Sequence, residues 1–359
     1  MKSPPPLIAE IAAVGNFFCR NHPPAKQHLF SFNVANEQSG ILIALGNLSR
    51  SNFFSHINTK REEVMKKGVL ALICMCLLIP SVSSAANMRD YIPAPPDTLL
   101  SMLYYHNISA DELNVNGNKA ADVDLSQHLF LLREVYYTKI GSIVADPQFI
   151  LPFGSSSFDM GSRSDNSDGI GDLILLCTFW LVNNPESKTY VGLTPYLYLP
   201  TGDYDDDQIV NLGANRFAFQ GEVGFVKGWE VQPGHNLYFE VAPSIFVYGD
   251  NDDYLGNNEL SQDPVFALES HLSYDLTKNL ALGLSYYGQW GGTSEVNGVE
   301  DDGTEINTQT IGATMAYNFA PGWQFLLQYK QDVKVDYGVE AQVVQGRLFY
   351  AVDFNSLFD

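Results

Sequence analysis

Positive charge is scarce: 20 Lys and Arg face 41 Asp and Glu, a formal net charge of −21 over 359 residues. That excludes a general nucleic-acid binder, because phosphate affinity rests on clustered cations that release counterions. Cysteine is nearly absent, with four in all. Three precede residue 87, so a chain starting near residue 86 keeps Cys177 alone and can form no internal disulfide. From residue 98 onward no 18-residue apolar run occurs, which excludes helical membrane spans. Zinc spacings, phosphate loops and triad motifs are missing too, so no cofactor is expected. Apolar and aromatic residues are not lacking, at 45% and 13%, and a chain that rich does not stay disordered.

The charge divides the chain. Residues 1–86 carry eight basic and four acidic residues, and the remainder carries 12 and 37. At the junction, Met65-Lys66-Lys67 precedes an apolar stretch from Val69 to Ile79, then Pro80 and the small residues Ser83-Ser84-Ala85. This order predicts a secretory signal peptide over 65–85, too short for a stable anchor. Ile73 before Cys74 is too bulky for a lipid-attachment signal. Residues 1–64 show neither alternation nor helical period and read as a spurious upstream extension, with translation starting at Met65. The alternative is a genuine cytoplasmic extension. Residues 86–97 then form a short periplasmic segment, 98–354 the main domain, and 355–359 a tail.

That domain is dominated by period-two alternation over about ten residues, the mark of strands with one apolar face. Phe266, Leu268, Leu272, Tyr274 and Leu276 share one face, and Glu269, His271, Ser273 and Asp275 the other. Leu280, Leu282, Leu284, Tyr286 and Trp290 likewise oppose Ala281, Gly283, Ser285, Tyr287 and Gln289. Strands are expected near 98–106, 125–137, 141–152, 169–182, 188–200, 215–227, 236–249, 264–276, 279–291, 307–319, 322–333 and 339–354. Alternation also suits a soluble sandwich, and the connections discriminate. Those after even-numbered strands are brief, such as Asn183 to Ser187 and Ala320-Pro321-Gly322, whereas most of those after odd-numbered strands are long. An outer-membrane barrel has this asymmetry, with tight turns on the periplasmic side and girdles of aromatics at strand ends. The prediction is an all-β protein: a transmembrane, antiparallel, up-and-down β-barrel of about twelve strands in a bacterial outer membrane, both ends periplasmic.

Five segments resemble the outer-membrane, transporter-like family named for a meta-pathway of phenol degradation. They are Tyr136 to Gly141, Asp146 to Gly154, Gly169-Ile170-Gly171-Asp172-Leu173, Leu199 to Tyr204, and Asn211 to Phe217. The resemblance spans about residues 90–354. It implies an outer-membrane β-barrel that passes aromatic or other hydrophobic compounds, and it supplies no catalytic residues. The final strand, ending at Phe354, is similar to the C-terminal aromatic signature of such barrels but is followed by five further residues.

Parity places Tyr190, Tyr196, Tyr198, Tyr248 and Tyr287 on the lumen face, together with Arg216, Glu222, Glu240 and Glu269. These nine are the candidate ligand or lumen residues. The rings could relay apolar or aromatic solutes, or simply fill a narrow barrel. The charges could select solutes or pair with one another. The long loops hold 22 acids against three bases. Asp203-Tyr204-Asp205-Asp206-Asp207 and Asp250-Asn251-Asp252-Asp253 read first as a solvated anionic surface; the sharper hypothesis is that their oxygens hold divalent cations that bridge to lipopolysaccharide. His271-Leu272-Ser273 is the only hint of a lipid hydrolase, and it points inward. The expected function is passive uptake of a small solute, the partners being outer-membrane lipid and lipopolysaccharide. The alternative is a structural or adhesive barrel without transport. N-terminal sequencing of the native protein is expected to begin at Ala86 or Asn87, and any residue before Met65 would reject the proposed start.

Overall fold

The computed structural model describes residues 87–354. The upstream extension, the signal segment and the tail 355–359 lie outside the described residues. Eighteen strands follow one another: β1 (Thr98–Val115), β2 (Asn118–Tyr136), β3 (Thr138–Ile140), β4 (Ile143–Met160), β5 (Arg163–Ile170), β6 (Leu173–Asn184), β7 (Thr189–Leu199), β8 (Ala218–Gln232) and β9 (His235–Tyr248). Then come β10 (Asn251–Tyr254), β11 (Asn258–Gln262), β12 (Val265–Asp275), β13 (Leu280–Gly291), β14 (Ser294–Val296), β15 (Val299–Asp301), β16 (Ile306–Ala320), β17 (Trp323–Val335) and β18 (Tyr337–Asp353).

Twelve of these, all but β3, β5, β10, β11, β14 and β15, form one antiparallel sheet that closes on itself. β1 pairs with β18 from Thr98↔Asp353 to Val115↔Tyr337, and β2 pairs with β4 from Asp124↔Asp159 to Val135↔Gln148. Each of the twelve expected segments contributes one wall strand. Closure is what hydrocarbon demands, since an open edge would leave backbone groups without partners at several kcal/mol each.

The two faces are inverted relative to a soluble protein. Gln220, Glu222, Gln328 and Gln345 are among the largest fully buried side chains, while Leu284 is 64% and Phe219 51% exposed. Each large apolar side chain left in water forgoes about 1.5–3 kcal/mol. Only lipid around the wall removes that cost, so the sandwich alternative falls. Aromatics gather at both ends of the wall. Trp323 stacks within 4.4 Å of Tyr350 beside the periplasmic turns, and Phe266 lies 5.7 Å from Trp290 at the opposite end. About ten residues of tilted strand separate the two levels, roughly 25 Å, the height of an outer-membrane apolar band.

The long connections are corrected by the structure. Residues 107–123, expected as a loop, continue β1 and β2 to a two-residue turn at Asn116 (φ 52°) and Gly117 (φ 69°), the left-handed pair of a type I′ hairpin. The strands were hidden because their polarity flips where they leave the membrane: Ile108 and Leu113 stay inward and buried, while Asp111 turns outward to water. Residues 155–168 similarly extend β4 into a hairpin with β5. The two loops at 249–263 and 291–307 contain β10, β11, β14 and β15, which pair into a separate four-stranded sheet.

Gly154 (φ +155°) permits the β2–β4 seam, because a Cβ there would lie 2.1 Å from the His128 carbonyl oxygen. Gly154→Val is expected to block closure, read as loss of the compact, heat-modifiable band on an SDS gel after refolding.

Candidate functional site

The lumen is closed at both ends by pieces of the chain that are not wall strands. At the periplasmic end, residues 87–96 do not hang below the barrel. Asp97, at φ 65°, turns the chain back into the lumen, and the Phe354 amide donates to its carbonyl at 2.7 Å. Asp90 sits between two arginines of the wall, 3.2 Å from Arg133 Nη1 and 2.9 Å from Arg347 Nη1. Arg89 reaches the other side, 2.6 Å from Asp275, and its Nε donates to Ser273 at 3.1 Å. Gln345 Nε2 donates to Asn87 Oδ1 at 2.9 Å. Opposite charges from the segment and the wall thus neutralise each other where Arg133 and Arg347 are buried and the others only partly exposed. Glycines make the room: a Cβ on Gly224 would lie 2.2 Å from the Tyr91 ring, and one on Gly283 would lie 2.6 Å from Met88 Sδ. Between segment and wall remains a cavity of about 350 Å³, lined among others by Asp90, Ile92, Tyr137, Arg347 and Phe349.

All nine lumen candidates face the interior, but they fall at different levels. Glu222 accepts the hydroxyls of Tyr91 (2.5 Å) and Tyr196 (2.9 Å), and Glu240 accepts the Arg89 backbone N–H at 2.8 Å. These groups hold the segment. Tyr190 is buried near the periplasmic end of β7. Mid-lumen, Gln328 Nε2 donates to the Tyr287 hydroxyl at 3.0 Å, the Lys330 ammonium lies 5.3 Å from the Tyr287 ring centroid, and Glu269 is buried nearby on β12. Towards the outside, Tyr198, Phe246 and Tyr248 follow one another with centroids 6.3 Å apart, the first pair tilted and the second stacked, and the Arg216 guanidinium lies 4.4 Å from the Tyr248 centroid. Asp90, Tyr91 and Arg133 escape the sequence reading, whereas Lys330 falls on the polar face by the same alternation, opposite Tyr329, although it is not among the nine. The signal that could have found the segment's berth was the recurrence of inward-facing glycines at 192, 224 and 283.

The outer closure is built by the loop between β7 and β8. Asp172 accepts three backbone N–H groups, from Thr201 (3.0 Å), Gly202 (2.9 Å) and Ala214 (2.8 Å). Burial pushes its carboxyl up, and those three donors oppose the shift. Asp203 bonds the Ile170 N–H at 2.8 Å. Gly171, Gly202 and Gly213 pack backbone on backbone, a Cβ on Gly202 falling 2.7 Å from both of the others. The knot folds the loop inward, so that Ile209 and Val210 pack against Ile108, Leu125 and Phe158 of the wall. It also covers β5, whose one strand partner is β4.

The remaining candidates separate. His271 Nδ1 bonds Ser285 Oγ at 2.8 Å, whereas Ser273 bonds Arg89, so no hydrogen bond joins His271 to Ser273 as a base and nucleophile would require. The carboxylates of Asp205, Asp206 and Asp207 come within 4.8 Å of one another and are exposed. Asp205 already accepts the Asp207 N–H at 3.0 Å.

Inverted faces and a closed twelve-stranded wall define an outer-membrane β-barrel. Residues 110–348 match the family described as "Putative MetA-pathway of phenol degradation", and the chain belongs to it. Among solved structures it is similar to an outer membrane channel from Pseudomonas putida F1, with 25% identity, a TM-score of 0.70, and coverage of 74% of this chain and 100% of that one. The transport unit of the autotransporter AIDA-I from Escherichia coli follows at 9% identity and TM-score 0.46, covering 74% of this chain and 91% of that one. The translocator domain of NalP from Neisseria meningitidis gives 12% and 0.41, with 82% and 96% covered. No curated protein matches the chain.

Asp90→Asn would remove the carboxylate that ion-pairs with both Arg133 and Arg347, a loss on the order of 3 kcal/mol from the segment's docking. The expected outcome is a higher and noisier single-channel conductance in planar bilayers, with the barrel itself still resistant to SDS at room temperature.

Proposed function

We propose that the barrel carries small apolar or aromatic molecules passively across the outer membrane. The observation that carries this reading is the chemistry of the outer lumen, where Ile108, Leu125, Phe158 and Val343 of the wall meet Ile209 and Val210 of the loop. A sugar or an inorganic ion, polar on every side, would shed water there without replacement partners, at roughly 2–7 kcal/mol per polar group. An apolar solute would instead gain about 25 cal/mol for each Å² it buries. Below that zone lie Tyr198 and Tyr248, both only partly buried, and side chains of this kind take aromatic solutes by offset or edge contacts. Tyr190, Tyr196 and Tyr287 continue the aromatic lining inward, while Arg216, Glu222, Glu240 and Glu269 set the charge that the route tolerates. The docked segment keeps the path shut to inorganic ions and must yield for a solute to leave.

The test uses asymmetric vesicles with lipopolysaccharide in the outer leaflet, a barrier that apolar solutes cross slowly by themselves. With the protein inserted, toluene influx is expected to rise severalfold over protein-free vesicles, and that of a pentose to stay at the protein-free rate. Equal acceleration of both would indicate an aqueous pore, and no acceleration of either would favour a structural or adhesive barrel.

A further inference from the structure

Near the outer end of the lumen stands a buried positive charge with no contacting carboxylate and one N–H without a partner. Arg216 is 5% exposed. Its Nη2 donates to Gln262 Oε1 at 2.6 Å and its guanidinium stacks on Tyr248, but Nη1 is buried without a hydrogen-bond partner. No ion pair reaches it among the described residues, whereas Arg89, Arg133, Arg163 and Arg347 all have one. Asp172, the carboxylate of the knot, is already occupied by three backbone donors. Burial lowers the proton affinity of the Arg216 guanidinium, and the more distant carboxylates of Asp250 and Asp172 oppose that shift without touching the group. A buried guanidinium with a spare N–H is costly unless a partner arrives. Its planar fork matches carboxylate and phosphate alike, and a single free N–H among packed apolar side chains favours the singly charged carboxylate over a dianion.

What surrounds the charge narrows the partner further. Tyr248 stacks on Phe246, which meets Tyr198 at a tilt of 45°, with Val265, Ala267 and Ile306 in the same packed cluster. Phe246 is buried, whereas Tyr198 and Tyr248 remain partly accessible from within the lumen. A cation therefore stands at the edge of an aromatic wall. We propose that this chamber is a binding site for aromatic monocarboxylates, the acid group taken by Arg216 Nη1 and the ring laid against Tyr248 and Tyr198. The site rests on the uptake reading and names within it a class of cargo, apolar molecules that carry one acid group. Acid on the outer loops opposes an anion's approach, but screening at physiological salt confines that field to about 8 Å.

Calorimetric titration of the full chain in detergent micelles, with benzoate and with its neutral counterpart benzyl alcohol, tests the assignment. The wild-type protein is expected to bind benzoate at least tenfold more tightly than benzyl alcohol. Arg216→Met should erase that preference, and Tyr248→Leu should weaken both ligands. Equal affinities in the wild type overturn the proposal whether or not the variants fold, as does a preference that survives in a folded Arg216→Met protein. Benzoate preference without toluene influx in vesicles would reject the uptake reading and leave the site standing. Influx without the preference would do the reverse.

Discussion

In hydrocarbon, a peptide N–H or C=O has no water to turn to, and every backbone group in the wall must find its partner on a neighbouring strand. The pairings of β1 with β18 and of β2 with β4 meet that demand and leave the sheet without an edge. The inverted faces follow directly. A closed wall in lipid has its apolar side outward, and whatever polar or charged groups the sequence alternates with it are gathered into the lumen. An even number of strands then returns both ends of the domain to one side, which puts the segment before β1 at the mouth of a polar cavity.

That placement explains why the segment folds inward. A wall that carries Arg133, Arg347, Glu222 and Glu240 into a narrow interior cannot leave them apart from counter-charges or donors, and Arg89, Asp90 and Tyr91 supply these from three consecutive positions. Such a network is strong when complete and costly when broken, because each member is screened from water by the others. Packing refines it: glycines at 192 and 224 admit the Tyr91 ring, and Gly283 admits Met88. The segment is held by charge and positioned by shape.

The outer closure uses a different principle. Three stretches that look unremarkable alone, Gly169 to Leu173, Leu199 to Tyr204 and Asn211 to Phe217, converge on Asp172 and on three glycines in backbone contact. The knot anchors the loop, the loop brings Ile209 and Val210 into the mouth, and the same stretch of chain delivers Arg216 to the aromatic chamber. One local arrangement therefore determines both what shuts the lumen and which charge meets a solute inside it.

Much of this was legible in the amino-acid order because alternation is a local property: each strand announces its own two faces. The number of wall strands, the side bearing the tight turns, and the inward direction of Tyr198, Arg216, Glu222 and Tyr287 all come from counting by twos. Asp111 and Leu113 show where that counting fails, since beyond the membrane the solvent changes from lipid to water and the apolar face changes from outside to inside. The docking of residues 87–96, the knot around Asp172, the four-stranded outer sheet and the isolation of Arg216 join residues far apart in the chain. Contacts of that kind leave no period in the sequence. They exist only once closure of the wall has brought charges, glycines and rings from distant strands into one narrow space.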